Sequence, residues 1–150
     1  MGLKKTLILF PICQKCLIFT KRIFMKIKKN NIYKMPRELL GKLEMRMLSL
    51  PSCSDMNFLY EFLPPKSSSP AVIHAHTREI IHIISGGGGG CVSGKRFKLV
   101  KGDCLTVPPG AEHVFFTRKK SLEAISIFSP PMDRRNPDAR IMPCKKRTGR

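Results

Sequence analysis

The feature that most limits what this chain can become is its punctuation. From residue 43 onward it is a series of short β-prone runs, each closed by glycine or proline, with no 3.6-residue periodicity long enough for a substantial helix. Residues 43–50 stop at Pro51-Ser52, residues 56–63 at Pro64-Pro65, and residues 80–84 at the glycine run from Gly86 to Gly90. Phe97 to Val100 lead into Lys101-Gly102-Asp103, and Cys104 to Val107 into Pro108-Pro109-Gly110; residues 113–117 and 122–128 complete the set. Between residues 56 and 63, Met56, Phe58, Tyr60 and Phe62 alternate with Asn57, Leu59, Glu61 and Leu63, the two-residue period of a strand. Short strands recurring every roughly eight to twelve residues predict antiparallel sheets, closed as a barrel or packed as a sandwich. The one helix expected is brief, at residues 36–42, opened by Pro36 and weakened by Gly41.

Three of the four histidines fit one pattern in this β-rich region. His74 and His76 are one residue apart on a predicted strand, so they share a face about 6 to 7 Å apart along the backbone. Glu79 follows, and His113 stands just past the rigid turn at Pro108, Pro109 and Gly110. Several histidines, with or without a carboxylate and with open positions left over, are a usual form of a catalytic Zn, Fe, Mn or similar site.

These residues resemble the two motifs of the cupin family. Gly102, Pro108, Gly110 and His113 follow the second motif without a gap, and Thr117 stands where the family carries Asn. His74, His76, Glu79 and Gly86 follow the first, with Ser68 in place of its leading glycine and two residues rather than three or four between His76 and Glu79. The resemblance covers about residues 43 to 130. It implies an all-β, antiparallel jelly-roll barrel and a metal held by His74, His76, Glu79 and His113. The shortened spacing opens a rival register: on an unbroken strand Glu79 would point away from the histidines, and His82 would join them instead. A bulge or tight turn at Thr77-Arg78 restores Glu79, the ligand favoured here because its spacing to Gly86 is kept.

The remaining motifs say less. Gly86 to Gly90 are not a phosphate loop, because Cys91-Val92-Ser93 follows where Gly-Lys-Ser/Thr would have to open a helix. Gly87, Gly89 and Gly90 should soften a strand and leave space in the cavity. Cys13-x-x-Cys16 lacks the further ligands of a structural zinc, and Cys53, Cys91, Cys104 and Cys144 show no spacing pattern, as expected of thiols in a reducing compartment.

The formal net charge of +18 points to nucleic acid or anionic membrane only if it is gathered on one face. Instead, residues 1–36 hold nine Lys or Arg and no acid, residues 131–150 hold seven against two, and the middle holds twelve against eight. The division expected is a basic N-terminal extension over 1–35, a cupin barrel over 36–130, and a basic, Pro-containing tail over 131–150, both ends disordered. Lys145, Lys146 and Arg147 are the candidates for any phosphate contact, so nucleic acid is not an expected partner except through the tails. The N-terminal apolar stretch is interrupted by Gln14 and Lys15, short of the about 20 residues of a membrane span. A cytoplasmic protein is expected, and exposed strand edges suggest a homodimer.

The resemblance implies a small metal-binding protein, either a metal-dependent enzyme, dioxygenase-like (an oxidoreductase) or isomerase-like, acting on a small molecule in the barrel, or a non-catalytic ligand-binding or sensory module. The metal would be a divalent transition ion, Fe, Mn, Ni or Zn. Arg78 and Glu112 flank the ligand positions as rim residues within reach of a substrate. Fold alone does not choose among these.

Overall fold

The computed structural model describes residues 29–48, 55–133 and 138–143. After a short 3-10 turn at Ile32–Lys34 come ten strands: β1 (Glu38–Leu40), β2 (Leu43–Leu48), β3 (Asn57–Leu63), β4 (Ala71–His74), β5 (Arg78–Val92), β6 (Lys95–Val100), β7 (Cys104–Val107), β8 (His113–Phe116), β9 (Leu122–Ser129) and β10 (Ala139–Met142). Every pairing is antiparallel, in the order β1-β2-β3-β9-β5-β8-β4-β10, with β6 and β7 also on β5. The all-β jelly-roll expectation therefore holds. Among the described residues no helix is long and apolar enough to cross a membrane.

The long strand β5 joins the two faces of the barrel. Its first half pairs β7 and β9, its second half β6 and β8, and the register slips between Ile83 and Ser85 where it crosses from one sheet to the other. A strand that changes sheets needs a corner, and bulges and glycines make corners. Gly86 takes a positive φ of 74°, and a Cβ there would run into the Ser121 carbonyl. Close neighbours surround the rest of the run. A Cβ on Gly88 would collide with the Phe116 carbonyl, while the Phe116 and Phe115 rings of β8 lie over Gly89 and Gly90. At Gly89 and Gly90 the room released by the missing side chains is thus taken by two aromatic rings, whereas Gly86, Gly87 and Gly88 line a separate cavity of about 460 Å³ with Lys98, Leu99 and Phe116.

On β3 the inward face carries Asn57, Leu59, Glu61 and Leu63, all buried. The aromatic face is covered on the outside by the N-terminal segment, where Tyr33 meets Tyr60 edge to face with centroids 5.4 Å apart. Leu63, Ile81, Ile83, Val107, Phe115, Leu122 and Ala124 form much of the continuous core between the sheets. At about 25 cal/mol per Å² of apolar surface, such burial is the main term holding the sheets together.

Two other expectations change. The segment at residues 36–42 is a hairpin rather than a helix: Gly41, at φ 62°, turns β1 back onto β2, a conformation glycine adopts freely and a helix interior does not use. Part of the region assigned to the C-terminal tail supplies β10, which pairs β4 from Ala139↔His74 to Met142↔Ala71. Cys13, Cys16, Cys53, Cys144, Lys145, Lys146 and Arg147 lie outside the described residues, as do residues 1–28.

Candidate functional site

His74 closes β4, Glu79 is the second residue of β5, and His113 opens β8. All three are buried, and one ligand atom from each lies within 4.8 Å of the others. Glu79 Oε2 is 3.1 Å from His113 Nε2 and 3.8 Å from His74 Nε2, and the imidazoles stack with centroids 5.4 Å apart. The turn at Pro108–Gly110 fixes this meeting, because the Gly110 N–H donates to the His74 carbonyl at 2.7 Å and brings the start of β8 beside the end of β4.

The far side of each ring is held as well. His113 Nδ1 is 3.0 Å from the Ala111 carbonyl, which sets Nδ1 as a donor and turns Nε2 toward Glu79. His74 Nδ1 faces Asp138 Oδ1 at 3.5 Å, too long for a firm hydrogen bond but close enough for charge to act; among the described residues neither atom has another partner. Asp138 Oδ2 accepts from the backbone N–H groups of His76 and Thr77 at 2.9 and 2.8 Å. Burial would raise the Asp138 pKa, but these bonds, the Thr77 hydroxyl and the nearby His74 outweigh it and hold the carboxyl below its ordinary range.

The bend that Asp138 secures decides which predicted residues meet. The strand ends at His74 and the chain bends at Ala75-His76, so strand parity does not carry through: His76 is exposed and stands outside the cluster. The same bend restores Glu79 to the inner face despite the short spacing. His82, paired with Cys104 and Ile125, is exposed on the opposite face of β5. Arg78 is exposed and Glu112 half-buried, and neither lines the cavity. Thr117, in the position of the family's Asn, ties β8 to the preceding loop, accepting from the Ser67 N–H at 3.0 Å and donating to the Pro64 carbonyl.

Sequence reasoning missed Glu61 and Asp138. Glu61 projects from β3 into the same interior and accepts from the fully buried Ser126 hydroxyl at 3.0 Å. Burial, then the charge of Glu79, push its pKa up to about 8 against the opposing Ser126 bond and His113. Burial would depress His113, but its bond to Glu79 and that group's charge, with help from Ala111 and Glu61, hold it above the ordinary imidazole value. The only advance signal for Glu61 was an acid on the leucine-bearing face of a strand. Asp138 gave none, sitting in a Pro-rich basic stretch.

The cluster opens on a cavity of about 140 Å³ with Leu43, Leu59, Val72, Phe115, Phe128 and Met132 among its walls. Two buried imidazoles with their Nε2 atoms turned toward one buried carboxylate form a donor set that fits a divalent transition metal and leaves coordination positions open.

Comparison with known proteins supports this picture at the level of fold. Residues 59–128 match the model of the cupin domain. A search of curated proteins by sequence found no match. Among solved structures, Pac13 of Streptomyces, in a substituted form with uridine, aligns with TM-score 0.67 at 13% identity, covering 79% of this chain and 92% of that one; Pac13 is described as a nucleoside dehydratase. The polyketide cyclase RemF of Streptomyces resistomycificus aligns with TM-score 0.66 at 15% identity, covering 81% and 89%. A predicted oxalate decarboxylase of Thermotoga maritima aligns with TM-score 0.60 at 22% identity, covering 67% and 96%. The match over residues 59–128, with the motif residues and the jelly-roll strand order, identifies a cupin domain within this chain.

Proposed function

We propose that this cupin is a metal-dependent enzyme acting on a small molecule in its barrel, with His74, Glu79 and His113 holding a divalent transition metal. The observation that carries the reading is the convergence, from three separate strands, of one nitrogen from each of two imidazoles and a carboxylate oxygen within 4.8 Å beside an apolar cavity. Two histidines and one carboxylate with open positions are the donor set of non-haem iron oxygenases, so Fe stands first, ahead of Mn, Ni and Zn. When bound, the metal would supply Lewis acidity and a place for a reactant to be polarised.

The protein's own residues do the rest. Ala111 fixes the tautomer of His113, and Asp138 holds the bend that presents His74. The walls exclude water, which strengthens every charge interaction inside. Dioxygenase-like and isomerase-like chemistry both suit such a site, and the solved neighbours include proteins described as a dehydratase and a cyclase. The test is turnover: the chain loaded in turn with Fe(II), Mn(II), Ni(II) and Zn(II) is screened with small organic substrates for oxygen uptake and for isomerised product. Activity that appears with metal and vanishes with a chelator supports the reading; activity indifferent to both overturns it.

A second reading rests on the 3.1 Å contact between His113 Nε2 and Glu79. An imidazole hydrogen-bonded to a buried carboxylate is a proton-transfer pair in its own right. On that reading activity survives chelation but is lost in both His113→Ala and Glu79→Gln. The homodimer also stands as a proposal, supported by β1 and β10 at the open ends of the sheet path with Leu39 and Ile141 exposed. Sedimentation would test it.

A further inference from the structure

The cavity beside the candidate metal site has an unusual electrostatic character for this chain. The sequence carries 28 Lys and Arg residues, yet among the described residues none lines it. Its ionisable lining is two carboxyls, Glu61 and Glu79, and two imidazoles, His74 and His113. Its walls are otherwise almost wholly aliphatic and aromatic.

Glu61 is the informative member. It is only 9% exposed, no Lys or Arg among the described residues pairs with it, and it stands on β3 between inward-facing Leu59 and Leu63. Burying an unpaired carboxyl is unfavourable, and a third leucine would serve packing better. Ser126, across the sheet on β9 and fully buried, donates to Glu61 Oε2 and fixes the orientation of the group. A carboxyl anchored on one oxygen and lining a cavity presents its other oxygen to whatever enters. Glu61 lies outside the three-residue metal-ligating cluster, so it is placed to contact the organic molecule rather than the ion.

We infer that the cavity takes an uncharged molecule with an apolar body about one ring in size and a hydroxyl group that hydrogen-bonds Glu61, and that it disfavours carboxylate and phosphate ligands. This rests on the proposed function only in taking the same cavity as the substrate site. The size follows from the volume: about 140 Å³ is close to the roughly 150 Å³ of an apolar cavity that admits benzene. A hydroxyl suits Glu61 because it can donate to a carboxylate or accept from a carboxylic acid. With no metal bound, an anion would meet two acids and no lysine or arginine, so the comparison with benzoate is made on the chelated chain.

The test is a binding series on the full chain with three probes of one size: benzyl alcohol, toluene and benzoate, followed by ligand-observed NMR titration. Wild-type protein should bind benzyl alcohol about tenfold more tightly than either of the others, the worth of one hydrogen bond to a charged or buried partner. Glu61→Leu should bring benzyl alcohol down to the affinity of toluene. Glu61→Gln, which keeps the volume and hydrogen-bonding capacity, should retain benzyl alcohol and narrow the gap to benzoate; its thermal unfolding reports whether it is folded. Benzoate binding as tightly as benzyl alcohol to wild type, no binding of any probe at millimolar concentration, or a ranking unchanged in Glu61→Gln and Glu61→Leu would overturn the inference. Metal content is measured on the same samples, before and after chelation. A chain that takes up no metal yet ranks the probes as expected loses the metal reading and keeps this one; a chain that takes up metal but prefers benzoate after chelation does the reverse.

Discussion

Replacing Asp138 by alanine should weaken both the fold and the site, by amounts that follow from its contacts. Its carboxylate accepts two backbone N–H groups, at 2.9 Å from His76 and 2.8 Å from Thr77, and its other oxygen stands 3.5 Å from His74 Nδ1. A hydrogen bond to a charged group contributes about 1.5–3 kcal/mol. Water regains part of that at the exposed His76, so a net loss of about 2–4 kcal/mol is expected, or roughly 6–12 °C in Tm for a chain of this size. Without the clamp the bend at residues 75–77 relaxes and His74 loses its orientation. Metal affinity should then fall about 10- to 100-fold, as when outer carboxylates of metal-bound histidines are removed. Denaturant unfolding at pH 7 and calorimetric titration with Zn(II) measure the two effects. Asp138→Asn keeps one acceptor and should lose about half as much stability. Because the folded carboxyl titrates below its ordinary range, its contribution is complete above that range and lost as pH falls through the lowered pKa. The gap between wild type and Asp138→Ala should therefore close on acidification below about pH 4. An alanine variant within about 0.5 kcal/mol of wild type at pH 7 would refute the reasoning.

Other outcomes follow from the same geometry. Gly88→Ala should destabilise by at least about 3 kcal/mol, because its Cβ meets the Phe116 carbonyl in a paired strand, while Gly94→Ala, in open space at φ 82°, should lose only about 1 kcal/mol; chemical denaturation compares them, and equal losses would contradict the account of the β5 corner. Glu61 is raised to about 8 in the folded chain, so burying it is tolerated at acid pH and increasingly opposed as pH rises from about 4.5 toward 8. Metal-free wild type should accordingly lose stability relative to Glu61→Gln across that window, and a pH-independent difference in Tm would exclude it. His82→Ala and His76→Ala should leave metal stoichiometry unchanged, since both side chains are exposed and outside the cluster; loss of metal in either, read by mass spectrometry, would reopen the register.

The barrel was legible because its determinants are local. Gly102, Gly110 and the prolines at 64, 65, 108 and 109 mark strand ends, and alternation between them marks the strands. His113 was equally plain, placed by a rigid turn a few residues earlier. The first motif was harder, because strand parity predicts faces only while the strand lasts. His74 is its last residue, and the two residues after it follow Asp138, from a part of the chain more than sixty residues away in sequence. That long-range clamp is what exposes His76 and turns Glu79 inward. Glu61 was hidden for a similar reason: one acid among leucines reads as a solvated position until the opposite sheet is seen to cover it and Ser126 to hold it. The short helix at residues 36–42 failed because Pro36 satisfies a helix start and a strand approach alike, and only pairing with β2 decides between them.

The most direct test of the central claim is the metal content of the full chain, by inductively coupled plasma mass spectrometry, for wild type beside His74→Ala, Glu79→Ala, His113→Ala and His76→Ala. The account predicts about one divalent transition metal per wild-type chain, lost on changing His74, Glu79 or His113 and kept in His76→Ala. A folded wild-type chain that takes up no Fe, Mn, Ni or Zn on reconstitution, or one that holds its metal through all four substitutions, would contradict it.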